Sequence, residues 1–241
     1  MGKAVKIYCV IFISILLFLQ SCEKDVVNQP VIIETGSVTD IDGNTYRTVK
    51  IGNQWWMAEN LKVKHYNNGE AILNTSIIAS DSAWEACLIG SYCFYSDSLL
   101  GCLYNHMALE DSRKIAPEGW HIPSDEEWKT LELHIGMSLQ NTNEFAWRGT
   151  NEGEKLMNKA LVGWPQSSIA FGSDLYGFSA LAGGCRLHNG FLNQEKNTAF
   201  FWASNVISNK AFYRSLDAQK KNVFRQKTYR TYGMSVRCVK D

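Results

Sequence analysis

Ten residues constrain this chain more than any others: Gly119-Trp-His-Ile-Pro-Ser-Asp-Glu-Glu-Trp128. Pro123 ends extended chain, Ser124 is a favoured helix N-cap, and Glu127 three residues later completes a capping box. Asp125 and Glu126 add negative charge at the positive end of the helix dipole. Trp128, Leu131 and Ile135 follow at helical spacing, which predicts one apolar face turned to the core. A chain with this stretch folds around a short, well-capped helix.

The N-terminus reads as a targeting segment. Lys3 and Lys6 precede the uncharged, nearly all-apolar run Ile7–Leu19. That run falls short of the ~20 residues a membrane span needs and fits a secretory signal. Leu19-Gln-Ser-Cys22 resembles a bacterial lipobox, which implies lipidation of Cys22 after cleavage. Glu23-Lys-Asp25 resembles the acidic export signal of surface lipoproteins. The organisation expected is a signal over residues 1–21, a tether over 22–35 and one domain over 36–241. The localisation expected is the cell envelope, as an outer-membrane and surface-exposed lipoprotein, with the membrane as partner through that lipid.

The whole chain has 24 basic and 24 acidic residues. Loss of Lys3 and Lys6 with the signal leaves a slight acidic excess, which gives no case for nucleic acid. Seven cysteines are present. Beyond Cys9 and Cys22 there remain Cys87, Cys93, Cys102, Cys185 and Cys238, an odd number in a compartment that permits disulfides. Their spacings match no zinc site, and no metal or cofactor is expected.

Along the domain, Val38–Ile51 reads as a hairpin around an Asp42-Gly43 two-residue turn. Asp40, Asp42 and Asn44 fail the EF-hand spacing. Short helices are expected over residues 81–86, 104–109 and 154–161. Strands are expected at 92–95, 177–181, 200–204, 211–216, 223–227 and 235–239. Modest helices among many short strands predict an α+β class with mostly antiparallel pairing.

Several pieces, in order, carry a family resemblance. They are Thr39–Tyr46, Trp56-Met-Ala-Glu-Asn-Leu61, Leu103–Asn105, Pro117–Trp128, Gly149–Leu156, Gly177–Gly184, Phe201-Trp202 and Ser235–Asp241. Together they resemble the Fibrobacter succinogenes major paralogous domain of exported bacterial proteins. Ile122–Trp128 and Ser235–Val239 also resemble parts of formylglycine-generating-enzyme-like domains. The resemblance implies a C-type-lectin-like architecture of two helices with small, mostly antiparallel sheets. The chain departs from the family pattern at Ala116, Ala182 and Cys185, the first standing where the family has Cys. The resemblance then implies that Cys238 has lost its usual partner and that Cys185 replaces it. Cys93 with either Cys87 or Cys102 remains an open local pairing.

Hydrolase and zincin frames are missing, and no proline sits in a calcium-lectin triplet. The expectation is a non-catalytic module that binds a glycan or another envelope protein. A copper oxidoreductase using Cys185 and Cys238, and a structural subunit of a surface assembly, are the alternatives. Candidate ligand residues are Asn189, Phe191 and Asn193 in a polar loop, Trp202 and Asn205, and Arg225 and Arg230 in a basic, tyrosine-rich C-terminal run.

Overall fold

The computed structural model describes residues 32–75, 81–94, 98–159, 164–165, 172–193 and 197–241. The proposed signal, Cys22 and most of the tether lie outside the described residues. Residues 31–241 form one compact unit.

Three sheets build it. The first is five-stranded and antiparallel, in the order Thr35–Thr39, Thr45–Ile51, Gln54–Met57, Val239–Lys240, Trp120–His121. The second has six short strands, in the order Leu192–Asn193, Cys185–Arg186, Gly233–Met234, Cys102–Asn105, Ser91–Phe94, Leu73–Asn74, with one parallel pair at its edge. The third has four strands, a three-stranded meander with an added edge, in the order Thr198–Ile207, Lys210–Asp217, Val223–Tyr229, Ala146–Arg148. Ser208 and Asn209 both have positive φ (51° and 60°), so the first hairpin of this meander closes with a turn of matching twist.

These sheets overturn the expected α+β class. The molecule is mostly β, 38 % strand against 16 % helix, and the helices among the described residues are five short pieces. Among the described residues only Asp125–His134 reaches ten residues. Glu152–Leu156 stops early because Met157 leaves the helix to bridge Ala180. Gly153 within it has no room for a side chain, since a Cβ would meet the carbonyl of Asn222. The expected strand at 177–181 is instead irregular chain, with Gly177 and Ser179 at positive φ. The expected strand at 235–239 is interrupted. Ser235 bridges Phe201, and regular pairing resumes only at Val239.

The opening helix forms as its sequence dictates. Ser124 Oγ accepts from the Glu127 N–H at 3.1 Å, and the Glu127 carboxylate accepts from the Ser124 N–H at 2.7 Å. Trp128, Leu131 and Ile135 are buried. Trp128 packs against Trp56, Phe178 and Phe201 at centroid distances of 4.8, 5.9 and 5.9 Å, forming the aromatic centre of the main core. Burying such a side chain contributes about 1.5–3 kcal/mol.

His121 ties this helix to the chain's last strand. Its Nδ1 lies 2.6 Å from the Asp241 carboxylate and its Nε2 lies 2.6 Å from that of Glu127. Both neighbours accept only, so the ring satisfies both as the imidazolium. Burial alone would lower its pKa, but the Asp241 and Glu127 bonds outweigh it and raise the pKa.

The first hairpin is longer at its tip than expected. Thr39 pairs with Thr45, so Asp40–Asn44 is a five-residue loop. The Asp40 carboxylate organises it, accepting from the N–H groups of Asp42 and Asn44 at 3.0 and 2.9 Å and from the Tyr46 hydroxyl at 2.5 Å.

Candidate functional site

One exposed surface gathers several of the expected ligand residues. Cys185–Arg186 and Leu192–Asn193 form a hairpin whose tip is Leu187–Phe191. Asn189-Gly190 turns it: the Gly190 N–H bonds the Leu187 carbonyl at 2.9 Å, and Gly190 has φ +90°. Arg186 holds the hairpin from beneath. It is buried, donates from Nε to the Gly190 carbonyl at 2.8 Å, and stacks its guanidinium 4.5 Å from the Trp84 ring.

The tip meets the turn after Val223–Tyr229. His188 lies 5.4 Å from the Tyr229 ring and 5.8 Å from the Tyr232 ring. Tyr229 is 54 % exposed and Phe191 60 % exposed. Lys210 Nζ sits 5.3 Å over Tyr229. Arg230 donates to Asn209 Oδ1 at 3.1 Å and pairs with the Glu110 carboxylate. Asn189 lies on the same tip, half-buried, and Asn193 is half-buried in the adjoining strand. The result is an accessible aromatic surface edged by Asn189, Asn209, Lys210 and Arg230. Flat π faces of this kind take the C–H face of a ring ligand, while the polar rim supplies donors and acceptors.

The remaining expected ligand residues serve the fold. Trp202 is fully buried and donates from Nε1 to the Tyr104 carbonyl at 2.8 Å. Asn205 Oδ1 accepts the Asp125 N–H at 2.5 Å, extending the cap of the opening helix. Arg225 is buried, with Nη2 on Asp125 Oδ2 at 2.6 Å and Nε on Asp125 Oδ1 at 2.9 Å.

Arg225 belongs to a buried ion network that the sequence reading missed. Arg214 donates to Glu132 Oε1 at 2.7 Å and to Asp125 Oδ1 at 2.8 Å. Arg148 Nη2 reaches both Glu132 oxygens at 2.8 and 2.9 Å. All five charged side chains are buried. Burial would raise the Asp125 pKa, but the Arg225 bonds and the Arg214 charge dominate and hold it well below the carboxylate range. Burial pushes Arg148 down despite Glu132. The signal was legible: Asp125 and Glu132 fall seven apart on the same helical face as Trp128.

The cysteines correct a further expectation. Cys87, Cys93, Cys102, Cys185 and Cys238 are all buried free thiols, so neither a Cys185–Cys238 bond nor a local bridge from Cys93 is formed. Cys185, in a strand, and Cys238, just before the last strand, share one apolar cluster. Burial pushes Cys185 up to about 12, Cys102 to about 12, Cys93 to about 11 and Cys238 higher still. Buried apolar thiols of this kind are inert. Among the described residues no three His, Cys, Asp or Glu side chains converge as metal donors.

Comparison with curated proteins and with solved structures gave no match. A family model, the Fibrobacter succinogenes major domain, matches residues 49–240. That span runs from the second strand of the first sheet to its C-terminal strand and includes the aromatic surface. The chain therefore belongs to the Fibrobacter succinogenes major domain family.

Proposed function

We propose that this protein is a non-catalytic binding and display module of the cell envelope, anchored by a lipid on Cys22, and that its ligand is a glycan. The observation that carries the reading is the surface formed by exposed Phe191 and Tyr229 with half-buried His188 and Tyr232, rimmed by amides and cations and braced by buried Arg186. Exposed aromatic side chains on a rigid hairpin are costly to leave in water and are a feature of binding surfaces. An ordered tip loses little conformational entropy when a ligand docks.

A glycan array probed with residues 32–241 tests the proposal. Binding to a defined subset of glycans, lost in Tyr229→Ala, is expected. Silence across neutral and acidic glycans sinks it. The anchor is tested separately by metabolic labelling with a fatty-acid analogue, which labels the wild type and not Cys22→Ala.

A further inference from the structure

Three of the pieces that carry the family resemblance meet around a second cavity, apart from the aromatic surface, with Tyr46 at the end of Thr39–Tyr46 in its wall. Trp56–Leu61 contributes Glu59 and Asn60, Gly177–Gly184 contributes Ser179, and Arg47 and Lys62 complete the polar wall. Its volume is about 350 Å³, within the roughly 300–1,000 Å³ of small-molecule sites.

The charges here are arranged unlike those of the buried Arg148–Arg214–Arg225 network. Arg148, Arg214 and Arg225 are buried and each touches a carboxylate. The side-chain cations of Arg47, Lys62 and Arg237 touch none: among the described residues no ion pair includes them. Arg47 Nη2 donates to Ser179 Oγ at 2.9 Å, leaving the rest of its guanidinium fork available. Lys62 Nζ rests 5.6 Å from the Tyr46 ring centroid.

Arg237 stands directly behind the wall. It is fully buried and donates to Asn60 Oδ1 at 3.0 Å, to the Ser179 carbonyl at 2.9 Å and to the Phe178 carbonyl. Burial pushes it down to about 9, and Asp174 and Glu59 act on it only through space. Ser179 is held at φ +54°, a left-handed conformation that is strained for a non-glycine residue. Its hydroxyl donates to Asp174 and accepts from Arg47, so the strained residue fixes the cation at the cavity wall.

We propose that this cavity is a carboxylate site, in which Arg47 and Lys62 grip the acid group of a uronic-acid-type sugar. The carboxylate part stands on the cavity alone, and the sugar part rests on the glycan reading above. Arg presents a fork that matches a carboxylate with two parallel bonds, and Lys adds a point charge. The Glu59 carboxylate at the rim, which accepts the Arg47 N–H at 2.7 Å, is an acceptor for sugar hydroxyls.

Calorimetric titration of the detergent-solubilised full-length chain with glucuronate, glucose and acetate tests this. Glucuronate is expected to bind saturably and glucose not to bind. Arg47→Gln and Lys62→Gln, checked for unchanged thermal unfolding, should each weaken glucuronate at least tenfold, while Tyr229→Ala leaves it unchanged. Absence of saturable glucuronate binding overturns the proposal, as does binding indifferent to both charge substitutions. Acetate binding as tightly as glucuronate supports the carboxylate site and overturns its assignment to a sugar. Loss of glucuronate binding in Tyr229→Ala places the acid group on the aromatic surface and overturns the site.

Discussion

Glu132→Gln is the sharpest probe of how this mostly-β unit is held together. Glu132 is 0 % exposed and accepts from Arg214 at 2.7 Å and from Arg148 at 2.8 and 2.9 Å. The substitution is nearly isosteric, so it opens no cavity and isolates the charge. In the wild type three buried arginines face two buried carboxylates; in the variant they face one, and Arg148 loses the only carboxylate contact it has among the described residues. Arg148 Nε already has no partner, so little slack remains. Removing one member of a buried pair costs about 3–5 kcal/mol. For a unit of this size each 1 kcal/mol shifts Tm by about 2–4 °C, so a fall of about 6–20 °C is expected. Urea and thermal denaturation followed by circular dichroism read it directly. Adding Arg148→Met to the variant should recover part of the loss, giving a coupling of about 1 kcal/mol or more. A loss below about 1 kcal/mol, or strictly additive single and double variants, refutes the reasoning.

Three further outcomes follow from the geometry. The His121 clamp has a raised imidazole pKa and a lowered Glu127 pKa. Its contribution is therefore complete between roughly 4.5 and 6.5, fades as pH rises through the raised His121 value, and fades as pH falls through the lowered Glu127 value. Urea denaturation across pH should show the alkaline-side loss in the wild type and not in His121→Gln. Ser124→Ala removes the capping box and should cost about 1 kcal/mol, or about 2–4 °C in Tm; an unchanged Tm would contradict the role given to Ser124. The five buried thiols should react with Ellman's reagent only slowly in folded residues 32–241 and completely after unfolding in denaturant without reductant. A shortfall of two thiols in the unfolded chain would restore a disulfide, with Cys185–Cys238 the first pair to map.

The local grammar of this chain was readable where short-range chemistry decides the outcome. The Ser124–Glu127 box, the Asn189-Gly190 turn and the alternating strands of residues 198–229 each follow from neighbours in sequence. The fold class was not readable, because helix length is decided by tertiary competition. Glu152–Leu156 has the composition to continue, and a bridge from Met157 to Ala180 stops it. Gly177–Leu181 looks like a strand by hydropathy, and two positive-φ residues break it so that the Phe178 and Ser179 carbonyls can receive Arg237. The site divided in the same way. Asn189, Phe191 and Arg230 lie on or beside the aromatic surface, in a turn and a basic, aromatic run that are local in sequence. The packing of Trp202, Asn205 and Arg225 was not legible, because their partners Tyr104, Asp125 and again Asp125 are 98, 80 and 100 residues away.

The central claim is that the hairpin tip and the Tyr229–Tyr232 turn form the ligand surface. Its most direct test is the dissociation constant of the strongest array glycan for wild type and for Tyr229→Ala, measured side by side. Loss of one stacked aromatic face is expected to cost about 1–2 kcal/mol, a weakening of roughly five- to thirtyfold with unfolding unchanged. An unaltered dissociation constant would contradict the account and move the ligand elsewhere on the molecule.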